Sequence, residues 1–184
     1  MIYDLGQGYF VRPLSEEDLD GPYLGWFEDQ DVCRYNSHGK FFRTRSAFKT
    51  YLSALNNQDR VVWAICHGQD GHIGNISLQN ISLIDRTAEL AIIIGDKRHW
   101  GRGVGVMAGR TLLRHAFEKL NLERISCGTA ATNEGMKMLA TALGMTHEGT
   151  RRSQLFLEGA RVDVLEYGIL RGEFDANSTA AAPL

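Results

Sequence analysis

The chain has 184 residues, of which 43% are hydrophobic and 23% are charged, and its formal net charge is −2. A chain of this length and composition can bury one sizeable core, so we expect a single globular domain. The small net charge gives no general attraction to nucleic acid or to an anionic membrane, and we expect neither as a partner.

The cysteines and histidines form no disulfide or metal-binding pattern. Cys33, Cys66 and Cys127 are far apart, and the six histidines include no closely spaced pair. We therefore expect reduced thiols and no bound metal. The N-terminus lacks the basic and apolar regions of a signal peptide, and no apolar run approaches the roughly 20 residues of a membrane span. We expect a cytoplasmic protein.

The first half of the chain predicts one strand, two helices and three further strands. A strand over residues 9–14 precedes Ser15, whose spacing to Asp18 is that of a capping box, and a helix is expected to follow to about Phe27. Residues 28–43 read as a loop. A second helix, capped by Thr44 or Ser46, is expected next, and then strands at 61–66, 73–78 and 88–94. The last strand is apolar almost throughout, so we place it centrally in a sheet.

The second half predicts two helices between strands, and then a hairpin. The predicted segments are a helix at 104–119, a strand at 124–129, a helix from 133 that ends at Gly144, and a hairpin at 152–157 and 162–170. The order β-α-α-β-β-β-α-β-α-β-β indicates one mixed α/β or α+β domain over residues 1–174. Residues 175–184 are small and polar, and we expect them to form a disordered tail.

Three glycines, Gly101, Gly103 and Gly105, separate the strand at 88–94 from the long helix. Glycine adopts positive φ and lets the backbone approach a ligand closely. The first N–H groups of a helix lack intrahelical partners and lie at the positive end of its dipole. The arrangement therefore favours binding of a phosphate or a diphosphate.

Two nucleotide-binding motifs fit this loop poorly. A P-loop ends in Gly-Lys-Ser or Gly-Lys-Thr, and neither occurs in the chain. A Rossmann loop has the spacing GxGxxG early in a βαβ unit, whereas these glycines have the spacing GxGxG and follow several strands.

The segment Trp100-Gly101-Arg102-Gly103-Val104-Gly105 resembles the pyrophosphate-binding signature of the GNAT superfamily of N-acetyltransferases, Gln/Arg-x-x-Gly-x-Gly/Ala. Trp100 stands where Gln or Arg is commoner in that family. Other segments resemble its Rim-type branch in the same order along the chain, and the likeness covers about residues 9–172. These segments are residues 26–32, 133–136, 143–145, 148–152 and 159–163.

This resemblance implies a GNAT fold, in which a mixed central sheet of about seven strands is splayed in the middle and packs with about four helices. Acetyl-CoA would lie in the splay as co-substrate. The backbone of Ile92 and Ile94 and the side chain of Asn133 would contact its pantetheine arm. The pyrophosphate would be held by Trp100, Gly101, Arg102, Gly103, Val104, Gly105 and Val106. By the same analogy we expect a homodimer.

Glu89 is the candidate catalytic residue. A carboxylate on a central, apolar strand is costly unless it has a function or a partner. In similar family members an acid at this position acts as a base toward the amine, often through water. The alternative is a structural ion pair with Arg86 or Arg124.

The resemblance places the acceptor site among the first two helices, their loop and the final hairpin. Its candidate residues are Tyr35, Asn36, His38, Arg43 and Arg151. The family often carries a tyrosine acid in the last helix, but Ala140 stands at the matching position. His99, beside the glycine loop, is expected to be a solvated loop residue.

The predicted activity is transfer of an acetyl group to a primary amine by direct attack in a ternary complex. The acceptor is either a small amine, such as an amino sugar, or a protein N-terminal amine. Because Ala140 replaces the tyrosine, a non-catalytic acyl-CoA-binding module remains an alternative. A third interpretation is an enzyme acting on nucleotide phosphates, but the chain lacks the motifs of such an enzyme.

Overall fold

The computed structural model describes residues 1–36, 40, 44–55 and 59–180. Within these ranges the strands are β1 (Tyr3–Gly6), β2 (Tyr9–Pro13), β3 (Val61–His67), β4 (Gly71–Ser82), β5 (Thr87–Ile94), β6 (Arg124–Ala130), β7 (Thr146–Leu157) and β8 (Ala160–Leu170). The helices are α1 (Gln30–Cys33), α2 (Arg45–Ser53), α3 (Val104–Glu118), α4 (Glu134–Ala142) and α5 (Arg171–Ala180). None of the described helices is long and apolar enough to span a membrane.

The eight strands form one mixed sheet that is split in the middle. Their order is β1-β2-β3-β4-β5-β6-β8-β7, and β5 with β6 is the parallel pair. These two strands pair only from Thr87 to Glu89, whereas β5 stays paired with β4 as far as Ile94. The sheet therefore opens between β5 and β6 beyond Glu89. The splayed mixed sheet expected from the resemblance is confirmed.

A hydrophobic core lies on each face of the sheet. On one face, Leu90 of β5 packs with the buried residues of α3 and α4. On the other face, Ile93 of β5 packs with a cluster that includes Trp26, Phe48 and Leu52. Because side chains alternate along a strand, Glu89 shares the second face with Ile93. The carboxylate thus lies on the same side of the sheet as residues 15–36, which we call the front segment.

The front segment differs from the predicted single helix. Two 3-10 helices, Glu16–Asp20 and Leu24–Phe27, replace the helix expected from Ser15 to Phe27. The break falls at Gly21, which is extended and precedes Pro22, and a residue before proline is disfavoured in the helical region. The predicted loop at 28–43 also contains α1, which Asp29 caps by accepting from the N–H groups of Asp31 and Val32.

The two ends of the chain contain more regular structure than the sequence predicts. β1 adds an edge strand before the first predicted one. At the other end, α5 continues to Ala180, although a disordered tail is predicted from residue 175. Residues 181–184 lie outside the described part of the chain.

A buried ion pair fastens the first 3-10 helix to the sheet. Arg12 of β2 donates to both carboxylate oxygens of Asp18, at 2.8 and 2.6 Å, and the Asp18 side chain is only 2% exposed. Burial raises the pKa of the Asp18 carboxyl, but the hydrogen bonds from Arg12 outweigh it with help from His72, and the pKa lies well below its usual range. The folded state therefore favours the ionised carboxylate.

The substitution Asp18→Asn is expected to lower the free energy of unfolding by about 2–3 kcal/mol at pH 7, because it leaves a mostly buried guanidinium without its counter-charge. Since the folded-state pKa is depressed, this contribution is complete above the ordinary pKa of 3.8 and is lost as the pH falls below it. Urea unfolding at pH 7 and pH 3 measures both effects. Asp20→Asn, which removes the exposed pair with Arg45 from the same 3-10 helix, is the matched control and should cost less than about 1 kcal/mol. Equal losses for the two variants would contradict the assignment.

Candidate active site

The split in the sheet forms a large cavity. It has a volume of about 1020 Å³ and runs along β5 from Glu89 to Ile94. The glycine loop and the start of α3 line one end of it. The opposite wall is formed by the end of β6 and the start of α4, from Gly128 to Ala130 and from Thr132 to Met136. We call this cavity the cleft.

The glycine loop has the geometry of an open anion cradle. Gly101 and Gly103 have φ values of +72° and +75°, and a Cβ at either position would meet no atom within 4 Å. Gly103 is the N-cap of the fifteen-residue helix α3. Positive φ explains why glycine is required here, and the open space in front of the helix is where the N–H groups can receive a diphosphate. The residues therefore fit the pyrophosphate of acetyl-CoA.

Individual loop residues differ in how they face the cleft. Trp100, Gly101, Gly103, Val104, Gly105 and Val106 line it, whereas Arg102 is exposed and outside its lining. The Val106 N–H already donates to the Gly103 carbonyl oxygen at 3.0 Å. Free donors for a phosphate must therefore come from the residues before Val106. The cofactor-binding roles of all these residues stay predictions.

The glycine loop is anchored to the end of β5. Trp100 Nε1 donates to the carbonyl oxygen of Ile94 at 2.8 Å. Ile92 and Ile94 line the cleft and pack with the core on the α3 side. A Cβ on Gly95 would lie 1.9 Å from the ring of Trp26, so this glycine is required for the front segment to pack at the end of β5.

His99 is a second anchor of the loop, and the expectation of a solvated side chain is wrong. It is 2% exposed. Its Nδ1 lies 2.9 Å from the Tyr9 hydroxyl, and its Nε2 lies 3.3 Å from Asp70 Oδ2. His67, Asp70 and His99 bring one potential metal ligand each within 4.8 Å of one another. Arg98 lies 3.0 Å from Asp70 Oδ1, however, so the carboxylate already has a cationic partner. Burial of the ring follows from contacts made by distant strands, which the sequence does not show.

The start of α4 forms the wall opposite the loop. Asn133 caps this helix by accepting the Met136 N–H at 3.2 Å, and both residues line the cleft. Ala140, which stands where the family often has a tyrosine, is fully buried in the core and outside the lining of the cleft. No general acid is therefore supplied from that position.

Glu89 lies in the cleft at the point where β5 and β6 separate. Its Oε2 accepts from Asn80 Nδ2 at 3.2 Å. Neither arginine proposed as an ion-pair partner contacts it in the described structure. Arg86 pairs with Glu123 at 2.6 Å, and Arg124 pairs with Glu148. The structure thus leaves the carboxylate facing the cleft without the expected structural counter-charge.

Three of the five predicted acceptor residues lie in the cleft. Tyr35, Asn36 and Arg151 line it, and the Tyr35 hydroxyl donates to the Thr132 carbonyl oxygen at 2.9 Å. Arg151 is held by Glu166, to which its Nε donates at 2.8 Å. His38 and Arg43 lie outside the described residues.

Sequence reasoning missed a polar group on β4. Asn75, Ser77 and Gln79 line a smaller cavity of about 130 Å³ that adjoins the cleft at Ala91, Ile92 and Ile93. In β4 they alternate with Ile76 and Leu78, and this alternation was the available signal, because it places the three polar side chains on one face.

A split sheet with a phosphate cradle, and with a carboxylate in the same cleft, defines an acyl-CoA-dependent transferase. Comparison with known proteins agrees. Residues 9–146 match the family described as "Acetyltransferase (GNAT) domain". The Bacillus subtilis (strain 168) protein named "Putative ribosomal N-acetyltransferase YdaF" is 34% identical over 107 residues, which are 58% of this chain and 58% of that protein.

Solved structures show the same fold. Spermidine N-acetyltransferase from Vibrio cholerae, in complex with CoA and spermine, matches with a TM-score of 0.81 and 23% identity over 92% of this chain and 99% of that chain. RimL, a ribosomal alpha-N-protein acetyltransferase in complex with coenzyme A, matches with a TM-score of 0.83 and 14% identity over 92% of this chain and 98% of that chain.

The chain belongs to the GNAT acetyltransferase family, and the Rim-type resemblance is supported by these relatives. It is an acetyl-CoA-dependent N-acetyltransferase.

Proposed function

We propose that this enzyme acetylates the primary amine of a small molecule by direct attack in a ternary complex, with Glu89 as the base. The observation that carries the proposal is that one cleft is lined both by the glycine cradle and by a carboxylate that makes no ion pair with any described residue. Acetyl-CoA bound at the cradle would extend along β5 toward Glu89, because β5 forms the length of the cleft.

The chemistry assigns a distinct role to each group. The neutral amine nitrogen forms a bond to the thioester carbonyl carbon, the carbon–sulfur bond breaks, and the proton that the nitrogen then loses passes through water to the leaving thiolate. An alkyl amine is mostly protonated at neutral pH, so a base must remove a proton before attack. In this proposal Glu89, which lies in the cleft, removes that proton through water.

Contacts across the acceptor side favour a small acceptor over a polypeptide. Arg34 pairs with Glu158 at 3.0 Å, Lys40 Nζ donates to the Phe156 carbonyl oxygen at 3.2 Å, and Tyr35 contacts Thr132. These contacts join the segment after α1 to the turn of the final hairpin and to the start of α4. An acceptor that entered past these contacts would need less room as a small amine than as a chain terminus.

A turnover assay tests the proposal. Release of the CoA thiol from acetyl-CoA is measured with a panel of small primary amines and with peptides that carry free N-termini, and isothermal titration measures binding of acetyl-CoA and of ATP. We expect acetyl-CoA to bind without competition from ATP, and small amines to react faster than peptides. Faster reaction of peptides would favour a protein N-terminal acceptor, and tight binding without turnover would favour the non-catalytic module.

We also propose, by family analogy, that the enzyme is a cytoplasmic homodimer. Sedimentation equilibrium checks the oligomeric state, and a monomer at all concentrations would contradict it.

A further inference from the structure

A small side cavity lies beside the cleft on the Glu89 face of the sheet. It has a volume of about 130 Å³ and shares Asn36, Ala91, Ile92 and Ile93 with the cleft. An acceptor whose amine lies in the cleft beside these residues can place its next atoms in the side cavity. The inference drawn here rests on the proposed function, because it concerns what that acceptor carries beside its amine.

The walls and floor of the side cavity have different chemistry. Its walls are aromatic and come from the front segment and α2, namely Tyr23, Phe27, Phe48 and Tyr51. Its floor is the row of Asn75, Ser77 and Gln79 on β4. None of the described residues that line it is charged. A charged group would therefore lose its hydration there without gaining a counter-charge.

The hydrogen bonds of His72 determine which way the Asn75 amide points. His72 Nε2 lies 3.0 Å from the Gly74 carbonyl oxygen and 2.8 Å from Asn75 Oδ1. A carbonyl oxygen can only accept, so Nε2 must carry the proton. The Asn75 atom that faces this proton must then be the oxygen, because the amide nitrogen could not accept it. The Asn75 Nδ2 donor is thereby directed away from His72.

On its other side His72 faces Asp18. Asp18 Oδ1 lies 3.2 Å from His72 Nδ1 without regular hydrogen-bond geometry. Asp18 is in turn fixed by two hydrogen bonds from Arg12. His72 and Asp18 are 7% and 4% exposed, so this chain of contacts is shielded from water. The orientation of Asn75 is therefore imposed by buried neighbours.

Asn75 is 7% exposed and lines the side cavity, and its Nδ2 makes no hydrogen bond within the described structure. The neighbouring Ser77, by contrast, accepts from Gln79 Nε2 at 3.2 Å and lies 3.5 Å from the Ala91 carbonyl oxygen. The Nδ2 atom keeps access to the side cavity, so a ligand that displaces water from it must accept its hydrogen bond or leave the donor unpaired at a cost in free energy. Asn75 is thus the group on the floor that is poised to donate to a bound acceptor.

We propose that the side cavity selects acceptors whose amine carries a compact, uncharged neighbouring group with one hydrogen-bond acceptor, and that Asn75 is the specificity-determining donor to that atom. The volume sets the size of the group, because a cavity of about 150 Å³ holds a benzene molecule. The aromatic walls accommodate its apolar atoms. Since none of the described lining residues is charged, binding of a second ammonium group, as in a polyamine, or of a carboxylate is disfavoured in the side cavity.

The test compares two amines of equal shape and one diamine. Tetrahydrofurfurylamine and cyclopentylmethylamine differ by one ring atom, an ether oxygen in place of a methylene. 1,4-Diaminobutane adds a second ammonium. We measure kcat/KM at pH 8 and calculate it from the concentration of the neutral amine, so that differences between the amine pKa values do not affect the comparison. The kcat/KM of the ether is expected to exceed that of the hydrocarbon by about 5-fold, which corresponds to one net hydrogen bond. It should exceed the kcat/KM of the diamine by at least the same factor.

The variant Asn75→Asp changes the donor and preserves the shape. The carboxylate still accepts from His72 Nε2 but cannot donate to an ether oxygen, so the ether-to-hydrocarbon ratio should fall to 1 or below, and the diamine should improve. Asn121→Asp, the same change at an exposed residue outside both cavities, should keep the wild-type ratio. Acetyl-CoA affinity, measured by titration, should be equal in all three proteins.

The outcomes separate this inference from the proposed function. Turnover of all three amines by the wild-type enzyme with an ether-to-hydrocarbon ratio near 1 would overturn the role of Asn75 and leave the proposed function intact. A ratio in Asn75→Asp equal to that of the wild type would do the same. Absence of turnover with every amine tested would overturn the proposed function, and the inference with it. The ratio in the wild type is informative even if the variant fails to fold.

Discussion

Replacing Gly103 by valine is expected to raise the Kd of acetyl-CoA by at least about 100-fold, because several phosphate contacts depend on the backbone at this residue. Gly103 has a φ of +75° and caps α3, and the space in front of it is open. A valine side chain would fill that space and hold the diphosphate away from the helix N–H groups. Isothermal titration with acetyl-CoA measures the loss directly.

Backbone strain must be separated from this steric effect. A β-branched residue at positive φ costs roughly 1–2 kcal/mol of stability wherever it stands. Gly6 has a φ of +82°, meets no atom within 4 Å of a Cβ, and lies outside the cleft, so Gly6→Val is the matched control. It should lose similar stability and retain the wild-type Kd. Wild-type affinity in a folded Gly103→Val protein would refute the cradle assignment.

The cofactor side of the site could be predicted from sequence because it depends on local features. The glycines, the helix after them and Asn133 lie in continuous segments whose spacing indicates their role. The structure places the loop and Asn133 around one cleft. The order of strands and helices could also be predicted for this half, since the β5 segment is an apolar run, α3 has helical periodicity, and the glycines mark the boundary between them.

The front segment and the acceptor side could not be predicted to the same depth. The pattern around Ser15 predicts one helix, but tertiary contacts favour the two 3-10 helices that the structure contains. Asp18 acts in the turn, accepting the Ser15 N–H at 2.8 Å, and also pairs with Arg12 of β2. Such a pair joins residues on different elements, and no local spacing predicts it. The burial of His99 has the same origin, because its partners Tyr9 and Asp70 come from two other parts of the sheet.

The Glu89→Gln variant is expected to lower kcat by about 100-fold or more while leaving acetyl-CoA affinity unchanged, as loss of a general base does. The amide preserves the size of the side chain but cannot accept a proton. The remaining rate should depend on pH only through ionisation of the amine acceptor, and so should rise steeply toward alkaline pH. Steady-state rates from pH 6 to 10 with one small amine measure both effects.

A matched substitution outside the cleft separates loss of the Glu89 carboxylate from a general effect of replacing a glutamate. Glu118→Gln makes the same change on an exposed residue of α3 outside the cleft and should keep the wild-type rate and pH profile. If Glu89→Gln keeps them too, the carboxylate is not the base. The amine would then have to lose its proton to another group or to bulk water, and the location of Glu89 at the separation of β5 and β6 would reflect only its hydrogen bond to Asn80. A large loss confined to Glu89→Gln would instead place proton removal at the point where the sheet opens, on the same face as the side cavity.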